Sequence, residues 1–199
     1  MITPSLWIER WAHLAPPGGT VLDVACGSGR HTRWFAARHH AVTAVDRDAA
    51  ATAALAPLAE VVVADIENGP WPLADRRFDT IVVTNYLWRP LLPVLVERLA
   101  EGGLLLYETF ADGQQTLGRP SNPDFLLRPG ELLDAACGLH VVAYENGVEG
   151  HPPRCVQRLA AVRAPLTGES TVRLPLAAES NFPASSRVSK IGGFRGTTE

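Results

Sequence analysis

VLDVACGSG, residues 21–29, joins an apolar run to a turn that carries two glycines, Gly27 and Gly29. Glycines in such a turn adopt positive φ readily and leave room for a ligand to approach the backbone. The helix that follows would present free N–H groups and a partial positive charge to that ligand. The stretch therefore predicts a strand–turn–helix unit that binds a nucleotide-like molecule. An ordinary tight turn is the alternative interpretation.

Apolar, β-branched runs recur on both sides of this unit and are predicted as strands, at residues 20–25, 41–46, 61–65, 80–85 and 103–108. Near-continuous apolar runs of this kind are typical of parallel strands that are buried on both faces. Helical patterns follow at residues 30–39, 47–59 and 90–100. The alternation predicts right-handed crossovers and a doubly wound, mainly parallel α/β sheet.

The last part of the folded region departs from this alternation. A helix is predicted at residues 131–138, followed by two strands at residues 139–147 and 155–163 with only a loop between them. Because the loop is too short for a crossover helix, these two strands are expected to pair antiparallel. We expect one domain over residues 1–163. Residues 164–199 show neither periodicity and are predicted to be a mostly disordered tail.

Composition restricts the partners that this chain is expected to have. The 199 residues carry a formal net charge of −3 at pH 7, which gives no basic footprint for nucleic acid. The apolar runs are strand-sized and do not reach the length of a membrane span. The three cysteines, Cys26, Cys137 and Cys155, form no metal or disulfide pattern. We therefore expect a cytoplasmic protein with no membrane, nucleic-acid or metal partner, and the sequence leaves its oligomeric state open.

Two acids at predicted strand ends add to the glycine turn. Asp46 ends the second strand, where a carboxylate can accept both hydroxyls of a ribose. Asp65 ends the third strand and could accept the exocyclic amine of an adenine, with Ile66 against the base. Together with Asp23 in the first strand, these acids predict a ligand of the adenosine type.

The choice of adenosine ligand depends on what the turn lacks. Thr32 occupies the position where a nicotinamide-binding fingerprint requires a third glycine. The phosphate-binding GxxxxGK[ST] pattern is missing, and residues 1–163 contain no lysine. A ligand without phosphates, S-adenosylmethionine, fits better, and Asp23 could balance its positive charge. A nicotinamide-dependent oxidoreductase and a non-catalytic module that binds S-adenosylmethionine remain the alternatives.

Five segments of the chain resemble the class I S-adenosylmethionine-dependent methyltransferases: LDVACGSG (22–29), VTAVDRD (42–48), VVADIE (62–67), FDTIVVTNYL (78–87) and LAEGGLLLYETF (99–110). The resemblance covers residues 5–163 and implies a seven-stranded sheet whose last strand is antiparallel. Within this family the chain is most similar to the small tellurite-resistance-type enzymes, through YETF (107–110) and GRPSNPDFLLRPGEL (118–132).

The resemblance implies an enzyme that transfers a methyl group from S-adenosylmethionine to a small nucleophile such as a thiol or an oxyanion. The cofactor-binding residues would be Asp23, Ala25, Cys26, Gly27, Gly29, Asp46, Arg47, Asp65, Ile66, Asn85 and Tyr86. Glu108, at the end of the fifth strand, and Tyr86 are the candidate catalytic residues. The candidates for substrate binding are Arg119, Asn122, Arg128, His151 and Arg154.

Overall fold

A computed structural model describes residues 3–164 and 174–176 of the chain. Its strands are β1 Thr20–Val24, β2 Ala41–Asp46, β3 Glu60–Val63, β4 Phe78–Thr84, β5 Leu99–Phe110, β6 His140–Glu149 and β7 Arg154–Val162. They form one seven-stranded sheet in the order β3-β2-β1-β4-β5-β7-β6. Strands β1 to β5 pair parallel, and β7 pairs antiparallel with both β5 and β6. The predicted fold class, with one antiparallel strand at the end of the chain, is confirmed.

The helices are shorter than the sequence pattern predicts: α1 Leu6–Trp11, α2 Arg30–Ala36, α3 Ala49–Thr52, α4 Leu92–Glu97 and α5 Glu131–Ala135. The pattern at 47–59 yields only α3 and a following turn of 3-10 helix. The helix begins at Ala49 because Asp48 caps it by accepting bonds from Ala50 N and Ala51 N. The pattern at 90–100 ends early because the buried Leu99 pairs with Phe78 and begins β5. The third strand ends at Val63, so that Asp65 lies in the turn after it.

Both faces of the sheet are buried, which is why the strands read as continuous apolar runs. One face packs around Leu22, Ile81 and Leu105. The other carries Leu106 and packs against Trp7, Trp11 and Phe35 from the helices.

Short contacts connect α1 and its neighbours to the rest of the chain. Trp7 Nε1 donates to the carbonyl of Leu159 at 3.2 Å. Leu174 packs against the cluster formed around Trp7, and His13 Nε2 lies 3.0 Å from the carbonyl oxygen of Pro175. The predicted disordered tail otherwise lies outside the described residues. Within the part that is described, no helix combines the length and apolar composition needed to cross a membrane.

Candidate functional site

The glycine turn lies at the edge of the sheet where β1 to β4 end. Ala25, Gly27 and Gly29 all have positive φ, at 51°, 54° and 75°. Cys26 N donates to the carbonyl of Val45 at 3.1 Å, and Gly29 N donates to the carbonyl of Cys26 at 2.9 Å. These bonds fix the turn beside the end of β2.

The two glycines are required for different reasons. A Cβ atom at Gly29 would lie 2.4 Å from Cδ2 of Leu55, a fully buried side chain, whereas a Cβ atom at Gly27 would meet nothing within 4 Å. Gly29 therefore allows the start of α2 to pack closely against Leu55. Gly27 leaves open space at the surface of the turn.

This difference predicts unequal losses of stability. Gly29→Ala should lower the free energy of unfolding by about 2–5 kcal/mol, since left-handed strain costs roughly 1–2 kcal/mol and overpacking roughly 1–3 kcal/mol. Gly27→Ala should cost only the first of these, roughly 1–2 kcal/mol. Urea denaturation of both variants measures the difference. Equal losses would contradict the steric role of Leu55.

Asp46 links the turn to the end of β2. Its Oδ2 accepts from Gly27 N at 2.7 Å, and its Oδ1 accepts from Asp48 N at 2.9 Å. Because each carboxylate oxygen has a second lone pair, the side chain can still accept bonds from a ligand. The geometry therefore holds an anionic acceptor in place at the rim.

A cavity of about 350 Å³, here named the first cavity, opens beside this carboxylate. It brings together six residues that the sequence predicts for cofactor binding: Ala25, Asp46, Arg47, Asp65, Ile66 and Tyr86. Ala64, Glu67 and Phe125 complete its wall. The sequence offered no signal for Phe125, which lies 60 positions beyond Asp65 and reaches the cavity only through the fold.

Asp65 is exposed and organises the turn after β3. Its carboxylate accepts from Asn68 Nδ2 at 3.0 Å and from the N–H groups of Glu67 and Asn68 at 2.9 and 3.1 Å. These hydrogen bonds hold the pKa of Asp65 below its ordinary value, and the bond from the Asn68 side chain has the largest effect. The side chain therefore remains charged at the mouth of the first cavity.

Asp23 and Cys26 lie apart from the lining of this cavity. Asp23 is buried, and its Oδ2 accepts from Thr32 N at 2.8 Å and from Thr32 Oγ1 at 2.6 Å, which ties β1 to α2. The threonine that replaces the third glycine of a nicotinamide fingerprint is thus part of the packing. Burial raises the pKa of Cys26 to about 12, which does not suit a nucleophilic thiol.

Burial also raises the pKa of Asp23 from 3.8 to about 6. The folded state therefore binds the Asp23 proton more tightly than the unfolded state does. This difference adds to the free energy of unfolding in full below about pH 4, and the contribution is lost as the pH rises through about 6. We expect the free energy of unfolding of the wild type, relative to Asp23→Asn, to fall by about 2–3 kcal/mol from pH 4 to pH 7. Urea denaturation across this range measures it. Parallel profiles for the two proteins would contradict the assignment.

Asn85 and Tyr86 follow β4 and are held by the end of β5. Asn85, at φ 55°, donates its N–H to the carbonyl of Glu108 at 2.9 Å, and the buried Tyr107 hydroxyl donates to the carbonyl of Tyr86 at 2.9 Å. Burial raises the pKa of Tyr86, and the negative charge of Glu67 raises it further by a smaller amount. The Tyr86 hydroxyl is buried, finds no hydrogen-bond partner in the described part of the chain, and stays protonated.

A second cavity, of about 280 Å³, shares part of its wall with the first. Glu67, Tyr86 and Phe125 line both. The second cavity is completed by Asn85, Leu87, Thr109, Phe110 and Pro120. The two cavities are therefore adjacent chambers along one edge of the sheet.

Glu108 is placed differently from its predicted role as a base. It is 0% exposed and is not among the residues that line either cavity. Its Oε2 accepts from Arg158 Nε at 2.7 Å, and its Oε1 lies 3.5 Å from Arg154 Nη2. A carboxylate that is paired in this way and removed from the cavities does not suit proton abstraction from a substrate.

The candidates for substrate binding do not converge on either cavity. Arg119 and His151 are exposed, and Asn122 caps a turn by accepting from Asp124 N at 3.0 Å. Arg128 bonds to Glu131 at 3.4 Å. Arg154 bonds to Glu149 at 2.5 Å. Three of these five side chains, Asn122, Arg128 and Arg154, bond to other groups of the protein. The five do not form a shared ligand site.

Arg89, which the sequence analysis missed, fixes the loop that carries Phe125. Its Nε donates to Glu131 Oε1 at 2.6 Å, while its Nη1 and Nη2 donate to the carbonyls of Asp124 and Leu126, both at 2.8 Å. Glu131 is buried at the start of α5. The pair is 42 positions apart in the chain, so only the tertiary fold reveals it.

Removal of this guanidinium should loosen the wall of both cavities. For Arg89→Ala we expect the free energy of unfolding to fall by roughly 2–3 kcal/mol, less than for a fully buried pair because a third of the Arg89 side chain is exposed. Arg119→Ala, in the same loop but exposed, is the control. Thermal denaturation and limited proteolysis near Phe125 measure the effect, and identical behaviour of the two variants would contradict it.

The sequence of residues 21–103 matches a family model described as a methyltransferase domain. The match contains the glycine turn, Asp46, Asp65 and Tyr86, and it confirms the predicted class of enzyme together with its S-adenosylmethionine cofactor. A search of curated proteins finds no match to the chain.

Solved structures share the fold of this chain. TehB from Haemophilus influenzae is 18% identical with a TM-score of 0.62, over 79% of this chain, which spans 61% of that protein. A TehB-like SAM-dependent methyltransferase from Corynebacterium glutamicum is 22% identical with a TM-score of 0.57, over 79% of this chain and 86% of that one. A SAM-dependent methyltransferase from Methanosarcina mazei is 15% identical with a TM-score of 0.63, over 82% and 100%. At these identities the likeness concerns the fold alone.

Proposed function

We propose that this protein transfers the methyl group of S-adenosylmethionine to a small-molecule nucleophile. The observation that carries the proposal is the convergence of Asp46, Asp65, Ile66 and Tyr86 on the first cavity, beside a turn with an open glycine. In this proposal Asp46 accepts the ribose hydroxyls, and Asp65 and Ile66 hold the adenine. The exposed backbone of the glycine turn receives the amino-acid end.

Methyl transfer requires little of the protein beyond positioning the cofactor and the nucleophile. The bound sulfonium supplies an activated methyl group, and an in-line displacement needs a nucleophile held at near-attack distance. Tyr86 lines both cavities and Asn85 lines the second, so these two residues would border the path of transfer. Tyr86, protonated and without a partner in the described residues, could donate a hydrogen bond there. Phe125 and Phe110 would reduce the access of water, which favours reaction of a poorly solvated nucleophile.

A cytoplasmic location is part of the proposal. Cys26, Cys137 and Cys155 are all free thiols, as is typical of proteins in a reducing compartment.

The test is a methyl-transfer screen with labelled S-adenosylmethionine over thiols, oxyanions and small amines, with binding of S-adenosylhomocysteine measured in parallel. A labelled product from at least one class supports the proposal. Binding without transfer to any class would favour a non-catalytic module, and absence of binding would contradict the whole assignment.

A further inference from the structure

The second cavity differs from the first in its chemistry. Leu87, Phe110, Pro120 and Phe125 give it an apolar and largely aromatic wall. Among the described residues that line it, Glu67 is the one charged side chain. A cavity of about 280 Å³ with such a wall suits a flat molecule of the size of a substituted benzene.

Two of the arginines near this edge are already paired with carboxylates. Arg154 bonds to Glu149 and lies 3.5 Å from Glu108, and Arg128 bonds to Glu131. Their positive charge is therefore compensated within the protein.

Of the residues described as lining these two cavities, Arg47 is the one arginine, and it belongs to the wall of the first cavity. An anion in the second cavity would face Glu67 with no cation among the residues of the wall. Like charges at close range disfavour such binding, and desolvation in an apolar site disfavours it further.

We propose, resting on the proposed function, that the methyl acceptor is a small arylalkylamine of the benzylamine type that binds in the second cavity. Its ammonium form is attracted by Glu67 and its ring packs between Phe110 and Phe125. For transfer, the ammonium loses a proton to Glu67 or water, and the nitrogen lone pair then forms the N–C bond to the methyl group. The C–S bond breaks with its electron pair returning to sulfur, which leaves a neutral thioether and a methylated ammonium.

The experiment compares three probes of one shape at pH 7: benzylamine as a cation, benzyl alcohol as a neutral molecule and phenylacetate as an anion. Ligand-detected NMR measures their binding to the full chain with and without S-adenosylhomocysteine. We expect benzylamine to bind at least fivefold more tightly than phenylacetate, with benzyl alcohol between them. Equal or tighter binding of phenylacetate, or no binding of benzylamine, overturns the inference.

A matched pair of variants tests the role of the carboxylate. Glu67→Gln should weaken benzylamine binding at least fivefold and leave benzyl alcohol binding within twofold. Glu101→Gln removes the same charge from an exposed residue near the start of β5, at the opposite edge, and should change neither. An equal response of the two variants overturns the assignment of Glu67. Failure of S-adenosylhomocysteine to bind would instead count against the proposed function, because the probes are also measured without it.

Discussion

Replacement of Arg158 with alanine is expected to lower the free energy of unfolding by about 3–5 kcal/mol. Arg158 bonds to Glu108 at 2.7 Å and to Glu145 at 3.1 Å, and it also pairs with Glu149. Glu108 is fully buried, and its Oε1 accepts no hydrogen bond within the described chain. Without Arg158 the buried carboxylate would lose its main compensating charge, which is the costly way to break an ion pair.

Arg154→Ala is the matched control for this experiment. Its guanidinium lies 3.5 Å from Glu108 and its side chain is 34% exposed, so the expected loss is smaller, roughly 1 kcal/mol. Urea denaturation at pH 7 measures both variants. The double variant Glu108→Leu/Arg158→Met should recover most of the loss, since it leaves no buried charge unpaired. Similar losses for Arg154→Ala and Arg158→Ala would show that Glu108 does not depend on Arg158.

Asp46→Ala is expected to weaken binding of S-adenosylhomocysteine by about 1–3 kcal/mol, or roughly 5- to 150-fold. The loss has two physical sources. The variant lacks the carboxylate proposed to accept the ribose hydroxyls, and it also releases the Gly27 N–H that Asp46 holds at 2.7 Å. Titration calorimetry gives the affinity directly.

Asp48→Ala provides the control, because it removes a neighbouring carboxylate that caps α3 and does not line the first cavity. Its affinity should remain within about twofold of the wild type, although α3 should lose roughly 1 kcal/mol of stability. Unchanged affinity in Asp46→Ala would reject the ribose role, and equal weakening in both variants would indicate a general charge effect.

The sequence predicted those features that depend on strand order and on residues next to strand ends. The glycine turn, Asp46 and Asp65 lie within a few residues of buried strands, and parallel strands bring such positions to one edge. The antiparallel pairing of the last two strands followed from the short loop between them. Local pattern was sufficient for each of these inferences.

The sequence did not predict features that depend on strand register or on contacts between distant segments. Glu108 reads as an exposed strand end, and only the β5–β7 register places Arg158 opposite it. Phe125 lies in an irregular loop whose position depends on Arg89. Neither its distance from the glycine turn nor the residues around it indicate that it closes both cavities.

Asp23 shows how burial changes the meaning of a motif residue. Its place in LDVACGSG suggests a contact with the ligand, but both of its recorded hydrogen bonds come from Thr32. The sequence cannot reveal this, because a ligand contact and a helix tether use the same side chain at the same position.

The reversed direction of β7 has a consequence for how such a scaffold can diversify. Since β7 runs opposite to β5, the exposed turn at 150–153 emerges at the same rim as the ends of β4 and β5. Exposed turns tolerate changes in length and composition far better than the strands that they connect. Insertions there could remodel the neighbourhood of the second cavity while leaving the first cavity intact.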